Sequence, residues 1–176
     1  MGFETRLALR EPDKIDAVAP PSCAPMRGTY CLVLGVQRPT PLKVGALGRV
    51  VFPQGVYAYV GSGLGGIEHR VGRHRSRTKR RHLHIDYLLG NAEILMTVAI
   101  PGKKKETECE LVGSLLQADG SSVVANGFGS SDCRCPTHLV YFGDVDPGWA
   151  METVSMRVTM LPCVYPRTGS FPRWDP

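Results

Sequence analysis

Two tyrosines sit in glycine-bearing triplets on β-forming runs, Gly28-Thr29-Tyr30 and Tyr59-Val60-Gly61. Arg70 and His74 follow, four residues apart and therefore on one face of any helix that carries them. Glu108 and Glu110 come later, at the start of a stretch with apolar residues at helical spacing. A phenol within hydrogen-bond reach of a water can orient or deprotonate it. A guanidinium can neutralise a phosphate, and a carboxylate can hold a divalent cation through oxygen. Gathered at one strand-to-helix corner, Tyr30, Tyr59, Arg70, His74 and one of the two glutamates make a phosphodiester site. Taken singly, each has a plainer account. The tyrosines suit cross-strand packing, Arg70 and His74 a solvated basic face, and the glutamates the positive end of a helix dipole. Spacing leaves Glu108 and Glu110 both open. Glu108 is preferred because Cys109 and Val112 mark the apolar side.

Cys133-x-Cys135-x-x-His138 offers two thiolates and an imidazole to a structural Zn²⁺, with His82, His84, Cys109 or Cys163 available as a fourth ligand. Buried reduced cysteines are the competing account. Ser130 and Asp132, in the polar loop just before, either approach the active site or cap a turn. His84 and Asp86 form either a second acid–base pair or a helix-start cap. Gly61-x-Gly63-x-x-Gly66 fits the dinucleotide fingerprint, with Asp86 about twenty residues beyond as that pattern asks. Against it, Asp86 precedes Tyr87-Leu88-Leu89 rather than ending a buried strand, and no further βαβ units follow. The same glycines at a helix N-terminus also suit the phosphates of a nucleic-acid strand.

The formal charge of +5 is concentrated in one place. Residues His69 to His84 hold Arg70, Arg73, Arg75, Arg77, Lys79, Arg80 and Arg81, four of the five histidines, and no acid. Outside this stripe acids outnumber Lys and Arg, so the stripe alone makes the chain basic. A local cationic stripe implies a local polyanion, a nucleic-acid backbone being the obvious one. A solvated basic loop or a localisation signal is the alternative.

The elements that must position these groups can be read in outline. Met1 to Met26 lacks a sustained apolar period and ends in a Pro-rich run, so 1–26 is expected as a flexible leader. Strands are expected at 29–34, 49–52, 56–61, 93–100 and 138–142, and helices at 67–75 and 106–117, with a short element at 85–89. Residues 35–48 read as a Gly and Pro loop. Past Gly143 the composition shifts, so 27–143 is expected as the domain and 144–176 as a Pro- and Trp-containing extension. Within it Val154 to Tyr165 reads as an added strand or a loosely packed segment. The alternation implies an α+β fold, an α/β sandwich with a small mixed sheet flanked by helices. Hydrophobic residues at 43% and charged at 21% exclude a disordered or fibrous chain. No apolar run is long enough to span a membrane and the N-terminus carries Glu4, Glu11 and Asp13, so no membrane association and a cytoplasmic location are expected, with the six cysteines reduced or metal-bound.

In these motifs the chain resembles the GIY-YIG nuclease superfamily, Gly28-Thr29-Tyr30 standing for the first triplet and Tyr59-Val60-Gly61 for the second. It is more closely similar to a prokaryotic, mostly archaeal, branch described only as a domain of unknown function. That likeness rests on Gly28-Thr29-Tyr30, Tyr57 to Ser62, His82 to Tyr87, Glu108-Cys109-Glu110-Leu111 and Gly127 to Cys135, and spans about Arg27 to Gly143. The gap from Tyr59 to Arg70 is one residue longer than in many relatives, and a late asparagine found in parts of the superfamily has no clear counterpart. The resemblance implies a DNA endonuclease of repair or processing that uses one Mg²⁺ or Mn²⁺ and leaves 5′-phosphate and 3′-hydroxyl ends. It implies that Tyr59 or Tyr30, lowered in pKa or working through water, activates the nucleophile. Arg70 would neutralise the scissile phosphate and His74 would carry a proton or contact phosphate. Glu108 or Glu110 would hold the metal. The substrate is expected to be single-stranded or structured DNA, with RNA as a further option. The rival reading is a non-catalytic nucleic-acid-binding module of the same fold.

Overall fold

The computed structural model describes residues 25–76, 78–102 and 106–161. The leader to residue 24, Arg77, Cys163 and the remainder of the tail lie outside the described residues. Strand β1 (Gly28–Val36) is buried along its whole length, because its sequence GTYCLVLGV is apolar or β-forming at almost every position. Successive side chains of a strand point to opposite faces. Tyr30, Leu32 and Leu34 therefore enter one core, while Cys31 and Val33 enter another across the sheet.

A hairpin follows, β2 (Thr40–Val44) and β3 (Gly48–Phe52), and forms a sheet of its own. β2 falls where the sequence suggested a loop. Pro41 weakens the strand signal, yet in a two-stranded sheet it needs no second neighbour for a backbone donor. β4 (Gly55–Ser62) returns antiparallel to β1, and β5 (Glu93–Pro101) pairs on the other side of β1. With β6 (Ser122–Val123) and β7 (Leu139–Tyr141) the main sheet has the order β5-β1-β4-β7-β6. The fold is α+β. Every strand pairing among the described residues is antiparallel. That overturns the dinucleotide reading of Gly61 to Gly66, which requires parallel βαβ units.

Helices α1 (Ile67–Arg75) and α2 (His84–Leu88) cover the face that holds the tyrosines, burying Ile67, Val71, Ile85 and Leu88 there. Helices α3 (Glu106–Leu115) and α4 (Pro147–Thr159) cover the other face through Leu111, Val112, Leu115, Ala150, Val154 and Val158. α4 corrects the reading of Val154 onward as strand or loose packing. Asp146 caps the helix by accepting from the Trp149 N–H at 3.1 Å, and Pro147 takes the first helical position, where its missing donor costs nothing. Burial of Val154 and Val158 then stabilises the helix against the sheet by about 1.5–3 kcal/mol each.

Candidate active site

The β1–β4 register sets Tyr30 opposite Gly61 and Tyr59 opposite Leu32, so both phenols leave the same face of neighbouring strands. Their ring centroids lie 6.4 Å apart. Gly61 is the floor on which Tyr30 rests. A Cβ at that position would stand 2.7 Å from the Tyr30 hydroxyl, closer than any side chain tolerates. Next, the chain turns through Gly63 to Gly66 into α1, and the turn is tied to β1 by the Gly63 N–H donating to the Gly28 carbonyl at 2.8 Å. Ile67, Val71 and His74 recur on the buried face of α1, which carries the His74 ring beneath the tyrosines. The Tyr30 hydroxyl and His74 Nε2 are 2.7 Å apart and buried. With Tyr30 as donor, the His74 proton sits on Nδ1, which faces Asp86 Oδ1 at 3.8 Å and has no hydrogen-bond partner among the described residues.

Arg70 stands one turn before His74 and donates from Nε to the Ser62 carbonyl at 3.4 Å. Glu108 arrives from the other side, in the first turn of α3. Tyr30, Tyr59, Arg70 and Glu108, together with His82, His84, Ser131 and Asp132, line a cleft of about 280 Å³. Glu110 is exposed and lies outside that lining, so of the two glutamates Glu108 is the one that stands at the cleft. Ser130, adjacent to the lining, is buried and its hydroxyl has no partner among the described residues. His84 Nδ1 accepts from the Gly129 N–H at 3.1 Å, which orients its ring along the cleft wall.

Asp86 does not pair with His84. Arg73 clasps it with two donors at 2.9 and 2.8 Å, and the N–H groups of His82 and Leu83 both donate to Oδ2 at 3.0 Å. Lys79 Nζ lies 3.5 Å from Oδ1 and donates to the His74 carbonyl at 2.6 Å. Asp86 therefore anchors the start of α2 to α1. Burial would raise its pKa, but these donors hold the carboxyl far below its usual range. Arg73 and Lys79, expected to track DNA, are spent on this anchor. Arg75, Arg80 and Arg81 remain exposed, Arg81 stacking over Tyr87 at 5.6 Å.

The expected lowering of a phenol pKa is absent. Burial raises both Tyr30 and Tyr59 well above the usual phenol value, Glu108 and Asp86 add to the rise, and Arg70 opposes it in each. Burial lowers His74 to about 4, Lys79, Arg70 and Arg73 acting with it and Asp86 against it. His74 is accordingly neutral at pH 7, and in the tautomer protonated at Nδ1 it serves Tyr30 as a hydrogen-bond acceptor. Spending the Tyr30 proton on His74 leaves the phenol oxygen with acceptor capacity.

A second cluster lies behind Glu108. One ligating atom from each of Cys109, Cys133, Cys135 and His138 falls within 4.8 Å of the other three, a set able to hold a metal ion. Of the fourth ligands considered from sequence, Cys109 is the one present among the described residues. His82 and His84 line the cleft instead. Sequence reasoning also missed the part Ser131 plays in the lining. It lies between Ser130 and Asp132, which had been singled out, and no residue-type signal separates the three.

Among the described residues no helix is long and apolar enough to cross a membrane. No curated protein and no solved structure matches the chain. The family model of a domain of unknown function, DUF123, matches residues 29–159, well over half of the chain and including both tyrosines, the cleft and the cysteine cluster, and the protein therefore belongs to that family.

Proposed function

We propose that the protein is a divalent-metal-dependent endonuclease of GIY-YIG type that hydrolyses phosphodiester bonds in DNA during repair or processing. One observation carries this reading. Tyr30, Tyr59, Arg70 and Glu108 come from four different elements, β1, β4, α1 and α3, and converge on one cleft. Strand aromatics, a solvated basic face and a helix-dipole acid have no reason to meet.

Mg²⁺ or Mn²⁺ belongs to this cleft, where Glu108 and Asp132 are the carboxylates in the lining. A hard cation held by one or two carboxylates keeps its remaining positions for water and phosphate oxygens, and when bound it supplies charge to the transferring phosphoryl group. Zn²⁺, the softer ion, belongs to the sulfur-rich cluster. Arg70 binds the scissile phosphate and offsets the charge that grows on it. The Tyr30 oxygen, its own proton held by His74, accepts a hydrogen bond from the attacking water and aims it; Tyr59 sits beside it on the same wall. The water oxygen bonds to phosphorus as the bond from phosphorus to the 3′ oxygen breaks. The water proton is released to solvent in the open cleft, and the departing 3′ oxygen takes a proton from solvent. With both phenol pKa values raised, this water-mediated route is the one we adopt over a resting phenolate. Exposed Arg75, Arg80 and Arg81 contact neighbouring phosphates.

Cleavage of labelled single-stranded, duplex and branched DNA, and of matching RNA, with Mg²⁺, Mn²⁺ or EDTA tests the proposal. Tyr30→Phe, Arg70→Ala and Glu108→Gln should each lose about 10²–10⁴-fold in rate while binding is retained. Glu110→Gln should cleave as wild type. Salt-sensitive binding with no cutting of any substrate would instead select the non-catalytic module.

A further inference from the structure

The cysteine cluster draws on two separate parts of the chain. Cys109 stands on α3 next to Glu108, and Cys133, Cys135 and His138 stand on the loop entering β7. That loop is closed by backbone bonds, the Gly127 N–H donating to the Pro136 carbonyl and the His138 N–H to the Phe128 carbonyl, both at 2.7 Å. The Val60 N–H donates to the His138 carbonyl at 2.9 Å and so ties the loop to β4. None of the three cysteines is paired in a disulfide among the described residues. A tetrahedral ion with Zn–S near 2.3 Å and Zn–N near 2.0–2.1 Å keeps its ligand atoms roughly 3.5–3.8 Å apart. Cys133 Sγ and His138 Nε2 stand 3.3 Å apart, and no pair in the cluster exceeds 4.8 Å, so small side-chain rotations suffice to close on an ion. Four protein ligands would leave no position open, which is the form of a structural site rather than a catalytic one.

The other imidazole nitrogen of His138 is directed elsewhere. Nδ1 lies 3.6 Å from Glu108 Oε2, the carboxylate that reaches the cleft. A metal-ligating histidine commonly donates its second ring N–H to a carboxylate, which fixes both the ring and the acid. We propose that Cys109, Cys133, Cys135 and His138 bind one Zn²⁺, and that this ion, through the Nδ1–H of His138, holds Glu108 in place at the cleft. Zinc would then join α3 to the β7 loop, and Glu108 would be a positioning partner of that site as well as a cleft ligand. The second role alone rests on the endonuclease reading.

Full-length protein purified under reducing conditions should contain about one equivalent of zinc per chain by mass spectrometry of the metal. After zinc is stripped, titration with Co²⁺ should give the intense visible bands of a tetrahedral ion and near-ultraviolet thiolate charge transfer; Zn²⁺ should abolish both and Mg²⁺ neither. Cys109→Ser and Cys135→Ser should weaken the charge-transfer band. The Co²⁺ titration of wild type decides the matter even if those variants fail to fold. Glu108→Gln should weaken zinc affinity by about 10–100-fold in competition with a chelator, while Glu110→Gln leaves it unchanged. Absence of zinc together with a weak octahedral Co²⁺ spectrum would overturn the site. Unchanged zinc affinity in Glu108→Gln would overturn the link to the cleft. None of these readouts requires cleavage, so a failure of the endonuclease reading is seen separately, in the cleavage assay.

Discussion

Tyr30 depends on a neighbour that contributes no side chain. Its ring occupies the space above Gly61, so Gly61→Ala must push the phenol aside and break its bond to His74. Overpacking of this kind costs about 1–3 kcal/mol, and chemical denaturation should show a loss in that range, together with loss of any cleavage activity. Tyr30→Phe keeps the packing but leaves His74 Nε2 buried without a donor, at a cost of about 1–3 kcal/mol. At this scale the sequence was partly readable. It singled out Tyr30, Tyr59, Arg70 and His74, since their types and spacing are themselves the signal. It left Glu108 against Glu110 open, because two residues apart on a helix they differ only in which way the helix is turned.

Among the elements, the junction of α1 and α2 is the most exposed to a single change. Asp86 collects Arg73, Lys79 and the backbone N–H groups that begin α2, so Asp86→Asn removes the charge that all of them share. Breaking such a pair on one side costs about 3 kcal/mol, and hydrogen exchange should show α2 opening before the sheet. The same junction makes stability sensitive to acid. The folded pKa of His74 is depressed to about 4, below the unfolded value of about 6.5, so between those pH values the unfolded chain binds a proton that the folded one refuses. Stability should fall as pH drops through that window, by at most about 3 kcal/mol. Asp86 extends the loss below about pH 4, because its folded carboxyl resists protonation while its unfolded one accepts it. Urea midpoints from pH 7 to pH 3 check both, and Asp86→Asn should flatten the lower part of the curve. Not every element was legible. α4 had its signature in Asp146-Pro147, but the β-branched and apolar residues after it suggested a strand. β2 was hidden by Pro41 within it and Pro39 just before it.

For the molecule as a whole, the cationic stripe divides into two populations that composition counts as one. Arg73 and Lys79 stabilise the fold, whereas Arg75, Arg80 and Arg81 face solvent. If the stripe binds duplex DNA, replacing Arg80 and Arg81 by Ala should reduce the slope of log affinity against log salt by about 0.9 each, with little change in melting temperature. Arg73→Ala should do the reverse, lowering the melting temperature with a smaller effect on the slope. Fluorescence anisotropy across a salt series, with thermal melts of the same variants, separates the two. A hollow of about 820 Å³, lined in part by His74, Arg75, Lys79 and Arg81, adjoins this surface and extends it toward β5.

The sequence by itself determined the alternation of strands and helices, the α+β class, the charged stripe and the residue types able to handle a phosphodiester. These follow from local periodicity, turn chemistry and composition, all of which are properties of neighbours in the chain. Tertiary structure decided which residues share a space. The antiparallel register put Tyr30 over Gly61 and excluded a dinucleotide fold, and the rotation of α3 brought Glu108 to the cleft and Cys109 to the other thiols. Burial then set the ionisation of Tyr30, Tyr59 and His74, raising both phenols where the resemblance implied a lowered one. Desolvation and contact depend on the packing of segments far apart in sequence, and no local pattern encodes them.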